Sequence, residues 1–353
     1  MEPPVDPSTG DALMYPADAW EMNYFADGVV GGMFRFEIDA TAFTLWSIVA
    51  HAGWATDPDG HLRRHWETIT RGLELLVRWR DPATGLHAPA QEDDQATFSQ
   101  TLHGAITVFG ALDIGARAAR LLGEDAAAER WEHRAAELRD AIETHFYDPS
   151  AQTFFMTDSD RLPMMASGLT PTGPTAWMIW PCTMMDFGDP RVDRQLARDY
   201  GIIEPVVNLT PPGGLYFMKS TIPLAVAGGD EWRDVIAALP ETLAHHATEA
   251  TDHFGEVMVV LDDEGAPHAD QRVATPHLWE GTLFALTAMA AEDPRALRAY
   301  DDVLPPSRVI DPVAADDSGC DCASAPGRPG APVAPLLALL LATLPRLGCR
   351  RRF

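Results

Sequence analysis

The spacing of apolar residues most strongly constrains the fold of this chain, because two kinds of helical segment alternate along it. In residues 59–79, apolar side chains recur at steps of three and four, which draws one stripe along an α-helix. Residues 125–146 repeat this amphipathic pattern, and residues 230–247 show it again. Three other segments are largely apolar, which predicts helices buried on more than one side: residues 39–54, 97–122 and 276–291.

This alternation predicts an all-α protein with two concentric layers, in which apolar inner helices are surrounded by amphipathic outer ones. That is the arrangement of an α/α toroid, although a plain bundle or a solenoid gives the same periodicity. Strand signals are few, with one short strand predicted at 257–261. Two stretches rich in Pro, Gly and Thr, 159–174 and 205–214, are predicted as long loops.

Composition excludes several classes of partner. The chain has 353 residues, of which 46% are hydrophobic, so it can bury a sizeable core. Its formal net charge of -26 would repel a phosphate backbone, so we expect no nucleic-acid partner, whereas a neutral sugar is compatible.

Cysteine and histidine spacing predicts neither a metal site nor a cofactor. Of the four cysteines, only Cys182 lies in the apparent globular part, where it is expected to be a small buried hydrophobe. His245, His246 and His253 lack the His-x-x-x-His spacing of a helical metal site.

Two acidic loops carry the candidate chemistry. The sequence Gln91-Glu92-Asp93-Asp94 follows a turn at 81–85, and Phe254-Gly255-Glu256 precedes the last apolar helix. Two carboxylates on one helical scaffold are what glycoside hydrolysis needs, because one protonates the leaving oxygen and the other activates water or attacks carbon.

The order of these motifs resembles that of the glucoamylase-related glycoside hydrolases, family 15 and its bacterial relatives. The resemblance covers residues 19–291 and rests on four segments: 35–42 (RFEIDATA), 81–94 (DPATGLHAPAQEDD) with Phe98-Ser99-Gln100, 254–256 (FGE) and 275–289 (TPHLWEGTLFALTAM). It implies an (α/α)6 barrel whose active site lies in a funnel. It also implies an enzyme that inverts the anomeric configuration and releases sugar from chain ends. Gln91 stands where the family usually has Trp, and Asp93 where it usually has Glu. Fewer helical patterns are recognisable than a closed barrel requires, so we expect that a first helix or an N-terminal β-domain is missing.

The resemblance also assigns roles to individual residues. Glu92 matches the general acid and Glu256 the general base. The substrate-binding residues that we predict are Arg35, Asp39, Asp93, Trp20, His277 and Trp279. An alternative for Arg35 and Asp39 is a structural ion pair at a helix start, and most tryptophans in helical proteins belong to the core.

Each candidate carboxylate has a competing interpretation. Glu92 needs a raised pKa to act as an acid, which burial or neighbouring carboxylates can supply. It can instead belong to a solvated loop that caps the helix beginning near residue 97. Glu256 can be a surface strand residue. Glu280 is an alternative second carboxylate within an apolar helix, where its other role is structural, paired with an arginine such as Arg272.

The C-terminal segment resembles a myxobacterial-type sorting segment. Gly319-Cys320-Asp321-Cys322 is followed by an apolar run at 334–344 and by three arginines, Arg350 to Arg352. This resemblance implies a cell-surface or extracellular protein with a membrane tether, whereas the acidic, Pro-rich residues 1–6 do not form a signal peptide. The predicted organisation is an extension (1–18), a glycosidase-like domain (19–300), a linker (301–330) and an anchor tail (331–353).

The sequence therefore predicts a monomeric glycoside hydrolase that releases sugar from α-glucosidic oligo- or polysaccharides by an inverting two-carboxylate mechanism. Trehalases and disaccharide phosphorylases share this barrel, so fold alone does not name the substrate. The alternatives from other classes are a non-catalytic, surface-tethered glycan-binding protein and a helical-repeat interaction protein.

Overall fold

A computed structural model of the chain describes eight stretches: residues 18–20, 37–92, 100–150, 152–154, 176–207, 220–247, 253–254 and 278–310. All of them belong to the first of two compact units, Met1–Val313, whereas the second, Ala314–Phe353, lies outside the described residues. The described chain is helical apart from one short hairpin, in which Tyr147–Asp148 (β1) pairs with Thr153–Phe154 (β2) in antiparallel register. The prediction of an all-α fold is confirmed.

The first four helices form two hairpins. Helix α1 (Ile38–Ala50) leads through a 3-10 helix (His51–Trp54) into α2 (Pro58–Arg78), and α3 (Leu102–Leu122) is followed at once by α4 (Asp125–Phe146). Within each hairpin the two helices pack together, α1 also packs against α3, and α2 touches α4. This arrangement places α1 and α3 in an inner layer and α2 and α4 in an outer layer.

Local sequence fixes where these helices begin and end. Asp57 caps α2 by accepting a hydrogen bond from Gly60 N at 2.9 Å, and Pro58 occupies the first helical position. Helix α3 ends at Gly123, whose φ of 78° lies in the left-handed region that glycine adopts without strain. A two-residue connection then starts α4.

Helix α3 is the most enclosed element among the described residues. Of its 21 residues only Arg117, Arg120 and Leu121 are not buried, which confirms the prediction of an inner helix. Its glycines permit close approach: a Cβ atom on Gly110 would lie 2.7 Å from the Cβ atom of Cys182. Cys182 is itself a free, buried thiol, as predicted.

The remaining helices form a second packed group. They are α5 (Pro190–Val207), α6 (Thr221–Ala227), α7 (Arg233–Ala244, entered through a 3-10 helix at Asp230–Trp232), α8 (Leu278–Glu292) and a final 3-10 helix (Pro294–Asp302). Helix α8 packs against α6, α7 and the final 3-10 helix. A hydrogen bond of 2.8 Å between the Thr221 and Thr287 hydroxyls joins α6 to α8. The final 3-10 helix also packs against His51–Trp54, which connects this group to the first hairpin.

The chain continues to pack at the end of its final described helix and beyond it. Arg117 of α3 donates to Asp301 Oδ1 and to Pro305 O, both at 2.7 Å, and Arg139 of α4 donates to Val309 O. Leu304 and Val309 are buried. The compact body therefore runs through Ile310, whereas composition places the start of a linker at 301. A Pro- and Asp-rich sequence does not prevent packing when arginines on neighbouring helices bind its carbonyl and carboxylate oxygens.

Most predicted helices are found close to their expected bounds. The segment predicted at 125–146 coincides with α4, and those at 39–54, 59–79, 230–247 and 276–291 agree to within a few residues. Helices α5 and α6 were not predicted, and α5 includes 205–207 of a predicted loop. The strand predicted at 257–261 and the loop at 159–174 lie outside the described residues. No helix in the described part of the chain is long and apolar enough to cross a bilayer.

Candidate functional site

Two of the motifs that the sequence analysis singled out lie side by side. The backbone of Gln91 forms a parallel bridge with Glu37, and Ile38 N donates to Gln91 O at 3.1 Å. The acidic loop before α3 is thereby held against the chain that enters α1. As a result, Asp39 in the first turn of α1 and Glu92 before α3 lie in one region, at the N-terminal ends of two inner helices.

Glu92 is surrounded by hydrogen-bond donors. Its Oε1 accepts from Thr101 N at 3.2 Å and lies 3.2 Å from His87 Nε2. Its Oε2 accepts from Gly104 N at 2.9 Å and from the Thr101 hydroxyl. Three hydrogen bonds and one close imidazole nitrogen thus surround the carboxylate, which has about four lone-pair sites. With 2% of its surface exposed, Glu92 is a buried cap on α3, not a solvated one.

The charges of Glu92 and His87 stabilise each other. Burial acts to raise the pKa of Glu92, but the charge of His87, its hydrogen bond and the charge of His103 outweigh burial, and the pKa is lowered. For His87, burial acts to lower the pKa, yet the Glu92 carboxylate raises it overall. This shift is opposite in direction to the raised pKa that a general acid needs, because a histidine and helix N–H groups lie around the carboxylate. A carboxylate with a lowered pKa and three hydrogen-bond donors around it is poorly suited to donate a proton.

The first turn of α3 is shaped around this carboxylate. A Cβ atom on Gly104 would lie 2.5 Å from the Glu92 carboxyl carbon, so only glycine allows this approach. The N–H groups at the start of a helix also favour a negative charge there. Residues 101–104 (TLHG) thus provide the Glu92 side chain with one hydroxyl donor and two N–H donors, and the missing side chain of Gly104 leaves space for its carboxyl group.

Asp39 is the second buried carboxylate of this region. Its Oδ2 lies 2.8 Å from His103 Nε2, which joins the first turns of α1 and α3. The His103 ring lies 4.5 Å from the Trp177 ring, centroid to centroid, and Trp177 meets Phe43 edge-on at 4.3 Å. A carboxylate, an imidazole and an indole are therefore adjacent. His103 was not predicted; a histidine in the first turn of a largely apolar helix was the signal for it.

The predicted tryptophans have different surroundings. Trp20 is half-buried beside α1, where its backbone N–H donates to the Thr41 hydroxyl at 3.0 Å, two residues from Asp39. Trp279 is half-buried at the start of α8, next to Glu280, which is fully buried. Helix α8, which carries Trp279 and Glu280, packs mainly against α6 and α7.

Four of the predicted site residues lie outside the described residues: Arg35, Asp93, Glu256 and His277. Their roles remain predictions. By connectivity, Arg35 and Asp93 precede α1 and α3, and Glu256 and His277 precede α8. Across the stretches that the structure describes, no group of three or more His, Cys, Asp or Glu side chains is arranged to hold a metal ion as it stands.

Comparison with known proteins bears on the fold. No protein-family model and no curated protein matches the sequence. Among solved structures, a rhamnosidase from Klebsiella oxytoca with rhamnose bound is similar at a TM-score of 0.52 and 16% identity, covering 78% of this chain and 50% of that one. A GH78-family rhamnosidase of Bacillus sp. GL1 matches at a TM-score of 0.46 and 16% identity, covering 71% of this chain and 26% of that one.

The first of these similarities supports the α/α-type fold. The chain spans half of the Klebsiella protein's length and about a quarter of the Bacillus protein's length. At this identity the likeness concerns the fold and not the activity. The similarity to glucoamylase-related proteins is accordingly still a prediction from the sequence motifs.

Proposed function

We propose that this protein is a glycoside hydrolase of the α/α-toroid class whose substrate binds at the N-terminal ends of α1 and α3. The observation that carries the proposal is the Asp39–His103–Trp177 cluster. It joins a carboxylate to an imidazole at 2.8 Å and places an indole ring 4.5 Å from that imidazole. The fold similarity to a rhamnosidase is compatible with this class of activity.

This combination of groups suits a sugar. Ionised carboxylates make strong hydrogen bonds to hydroxyl groups, and the face of a tryptophan packs against the apolar face of a pyranose ring. Asp39 and Trp177 are mostly enclosed, at 7% and 9% exposure, so water would compete only weakly for these interactions. Such enclosure favours recognition of a chain end over a long internal segment.

The hydrogen bonding of Glu92 changes which carboxylate we assign to catalysis. We propose that Asp39 is the carboxylate that faces the substrate and that Glu92 holds the start of α3 in place. Inverting hydrolysis requires a second carboxylate ~6.5–9.5 Å away. Glu256 is the partner that the sequence motif predicts, with Glu280 as the alternative.

Hydrolysis of p-nitrophenyl α-glucoside, p-nitrophenyl α-rhamnoside and maltooligosaccharides by the full chain tests this function. The glucosides are chosen because the sequence motifs resemble those of glucoamylase-related enzymes. The rhamnoside is chosen because a rhamnosidase has a similar fold. We expect Asp39→Asn to reduce release by at least about 100-fold, the lower end of the contribution of a positioned acid or base. Asp59→Asn is the matched control, because Asp59 also lies in the first turn of its helix but is exposed.

Different outcomes of this assay test the role of Asp39 and the hydrolase proposal separately. Full activity in a folded Asp39→Asn variant would exclude Asp39 as the substrate-facing carboxylate. An absence of release from every substrate by a folded parent protein would refute the hydrolase proposal itself. Circular dichroism and the melting temperature establish whether each variant is folded.

The lowered pKa of Glu92 favours one alternative, a non-catalytic glycan-binding protein. In that case the Asp39–His103–Trp177 cluster would bind sugar without turnover. Calorimetric titration with rhamnose and maltose would then give binding that Asp39→Asn weakens, while no product forms. Turnover of any of the glycosides would contradict this alternative.

A further inference from the structure

Three histidines meet where α1 turns into α2. His51 begins the 3-10 helix after α1, and His61 and His65 lie on α2. Ring centroids of His51 and His61 are 5.0 Å apart, and those of His61 and His65 are 4.9 Å apart. The sequence of the pair, His61-Leu-Arg-Arg-His65, has the spacing that puts two side chains on one face of a helix. We call these three residues the histidine cluster.

Hydrogen bonding fixes the central ring of the cluster. His61 Nε2 lies 2.8 Å from Ile48 O. A carbonyl oxygen only accepts hydrogen bonds, so Nε2 carries the proton, and Nδ1 keeps its lone pair. A histidine whose second ring nitrogen donates to a backbone carbonyl is oriented in the way that metal-binding histidines usually are. In the neutral ring, this contact leaves Nδ1 of His61 available to bind a ligand, which is an observation separate from the clustering.

The cluster is accessible and separate from the candidate functional site. His51 is exposed, and His61 and His65 are half-buried. Asp39 and His51 lie at opposite ends of α1, roughly 18 Å apart along the helix at 1.5 Å per residue. Neither the proposed hydrolysis nor the capping of α3 involves these imidazoles.

We propose that His61 and His65, joined by His51, bind a divalent transition-metal ion of the zinc, nickel and copper class. Imidazole nitrogens suit these ions, whereas magnesium and calcium prefer oxygen ligands. The three rings do not converge as they stand. His61 and His65 supply the first two ligands from one helix face, and the exposed His51 side chain rotates to supply the third. The bound ion would link the end of α1 to the start of α2.

Calorimetric titration of the full chain with NiCl₂ and then with ZnCl₂ tests the site. Cys320→Ser, Cys322→Ser and Cys349→Ser are included throughout, because thiolates of the C-terminal segment bind the same metals. We expect His65→Gln to weaken binding by more than about tenfold, since the loss of even an outer-shell partner commonly has that effect. His133→Gln is the matched control: His133 lies on α4 with 76% of its side chain exposed, and its replacement should leave the affinity unchanged.

A second measurement tests the third ligand and the link between helices. Cobalt(II) bound to the parent should give a visible absorption spectrum that His51→Gln alters. Nickel should raise the melting temperature of the parent and of His133→Gln, but not that of His65→Gln. Equal nickel affinity in the parent and in folded His65→Gln would overturn the site. An unchanged cobalt spectrum in His51→Gln would overturn the three-histidine arrangement.

Discussion

Replacing Asp113 with asparagine is expected to stabilise the protein at neutral pH and not in acid. Asp113 lies in α3, where it is 6% exposed and its Oδ1 accepts a hydrogen bond from the Ser307 hydroxyl. Burial raises the pKa of Asp113 to about 6, although the Ser307 hydrogen bond and the charge of Arg117 both act to lower it. At neutral pH the protein therefore holds an ionised carboxylate in a place that disfavours the charge.

The size of the effect follows from the pKa. A rise from 3.8 to about 6, at 1.36 kcal/mol per unit, corresponds to a destabilisation of about 3 kcal/mol once Asp113 is ionised. The folded state binds the proton of Asp113 more tightly than the unfolded state does. The stability that the protonated carboxyl group contributes is therefore fully present below pH 3.8 and is lost as the pH rises through 6. The Asp113→Asn variant has no such loss, because its amide oxygen can accept from Ser307 while carrying no charge.

Urea unfolding of the parent and of Asp113→Asn, at pH 4 and at pH 7.5, measures this difference. We expect the gain in the free energy of unfolding to approach 3 kcal/mol at pH 7.5, where the parent is ionised, and to shrink toward zero at pH 4. Asp140→Asn is the control, because Asp140 lies on the exposed face of α4. A gain of equal size at both pH values, or a loss at pH 7.5, would refute the reasoning.

Three further outcomes are expected. Glu92→Gln should lower the free energy of unfolding by about 3–5 kcal/mol, because it leaves His87 buried without its anion. In the parent protein, the stability contributed by the Glu92–His87 pair should decrease below pH 4.5, as Glu92 gains a proton, and above pH 6.5, as His87 loses one. The melting temperatures of parent and variant should therefore converge at low and at high pH. Gly104→Ala should destabilise by about 1–3 kcal/mol in urea unfolding. Gly281→Ala in α8, where no atom of the described residues lies within 4 Å of an added Cβ, should be neutral or slightly stabilising. Burial raises the pKa of the Cys182 thiol, so iodoacetamide at pH 8 should label Cys182 only in urea, and rapid labelling of the folded protein would contradict its enclosure.

Helices could be predicted where the local sequence carries a clear helical signal. Helix α2 combines a stripe of apolar residues with an Asp-Pro start, and α4 has a long amphipathic pattern. Helix α6 has only seven residues, fewer than a periodic pattern needs, and α5 contains Gly201 and Pro205, which usually indicate a break. Tertiary packing overrides both signals, and a single sequence does not reveal it.

The role of a carboxylate was harder to predict than its position. The sequence drew attention to Glu92, and the structure places it with Asp39 at one end of the inner helices. Its protonation, however, depends on His87 and Thr101, which are five and nine residues away and reach it only in the folded chain. Proximity in sequence to Asp93 and Asp94 suggested repulsion, whereas among the described residues His87, His103 and Thr101 favour the charge of Glu92. Pattern analysis therefore located a charged cluster without fixing the chemistry of its members.

The return of the chain from Tyr300 to Ile310 determines where this protein can be shortened. Arg117 and Arg139 bind carbonyl oxygens of this segment, and Ser307 is the hydrogen-bond donor to Asp113. A gene cut after residue 300, where composition suggests the domain ends, would uncover apolar surface on α3 and α4 and leave the carboxylate of Asp113 facing the gap. Such a product should aggregate or be degraded during expression. A gene cut after residue 310 would keep this cover and remove only sequence beyond the described helical body.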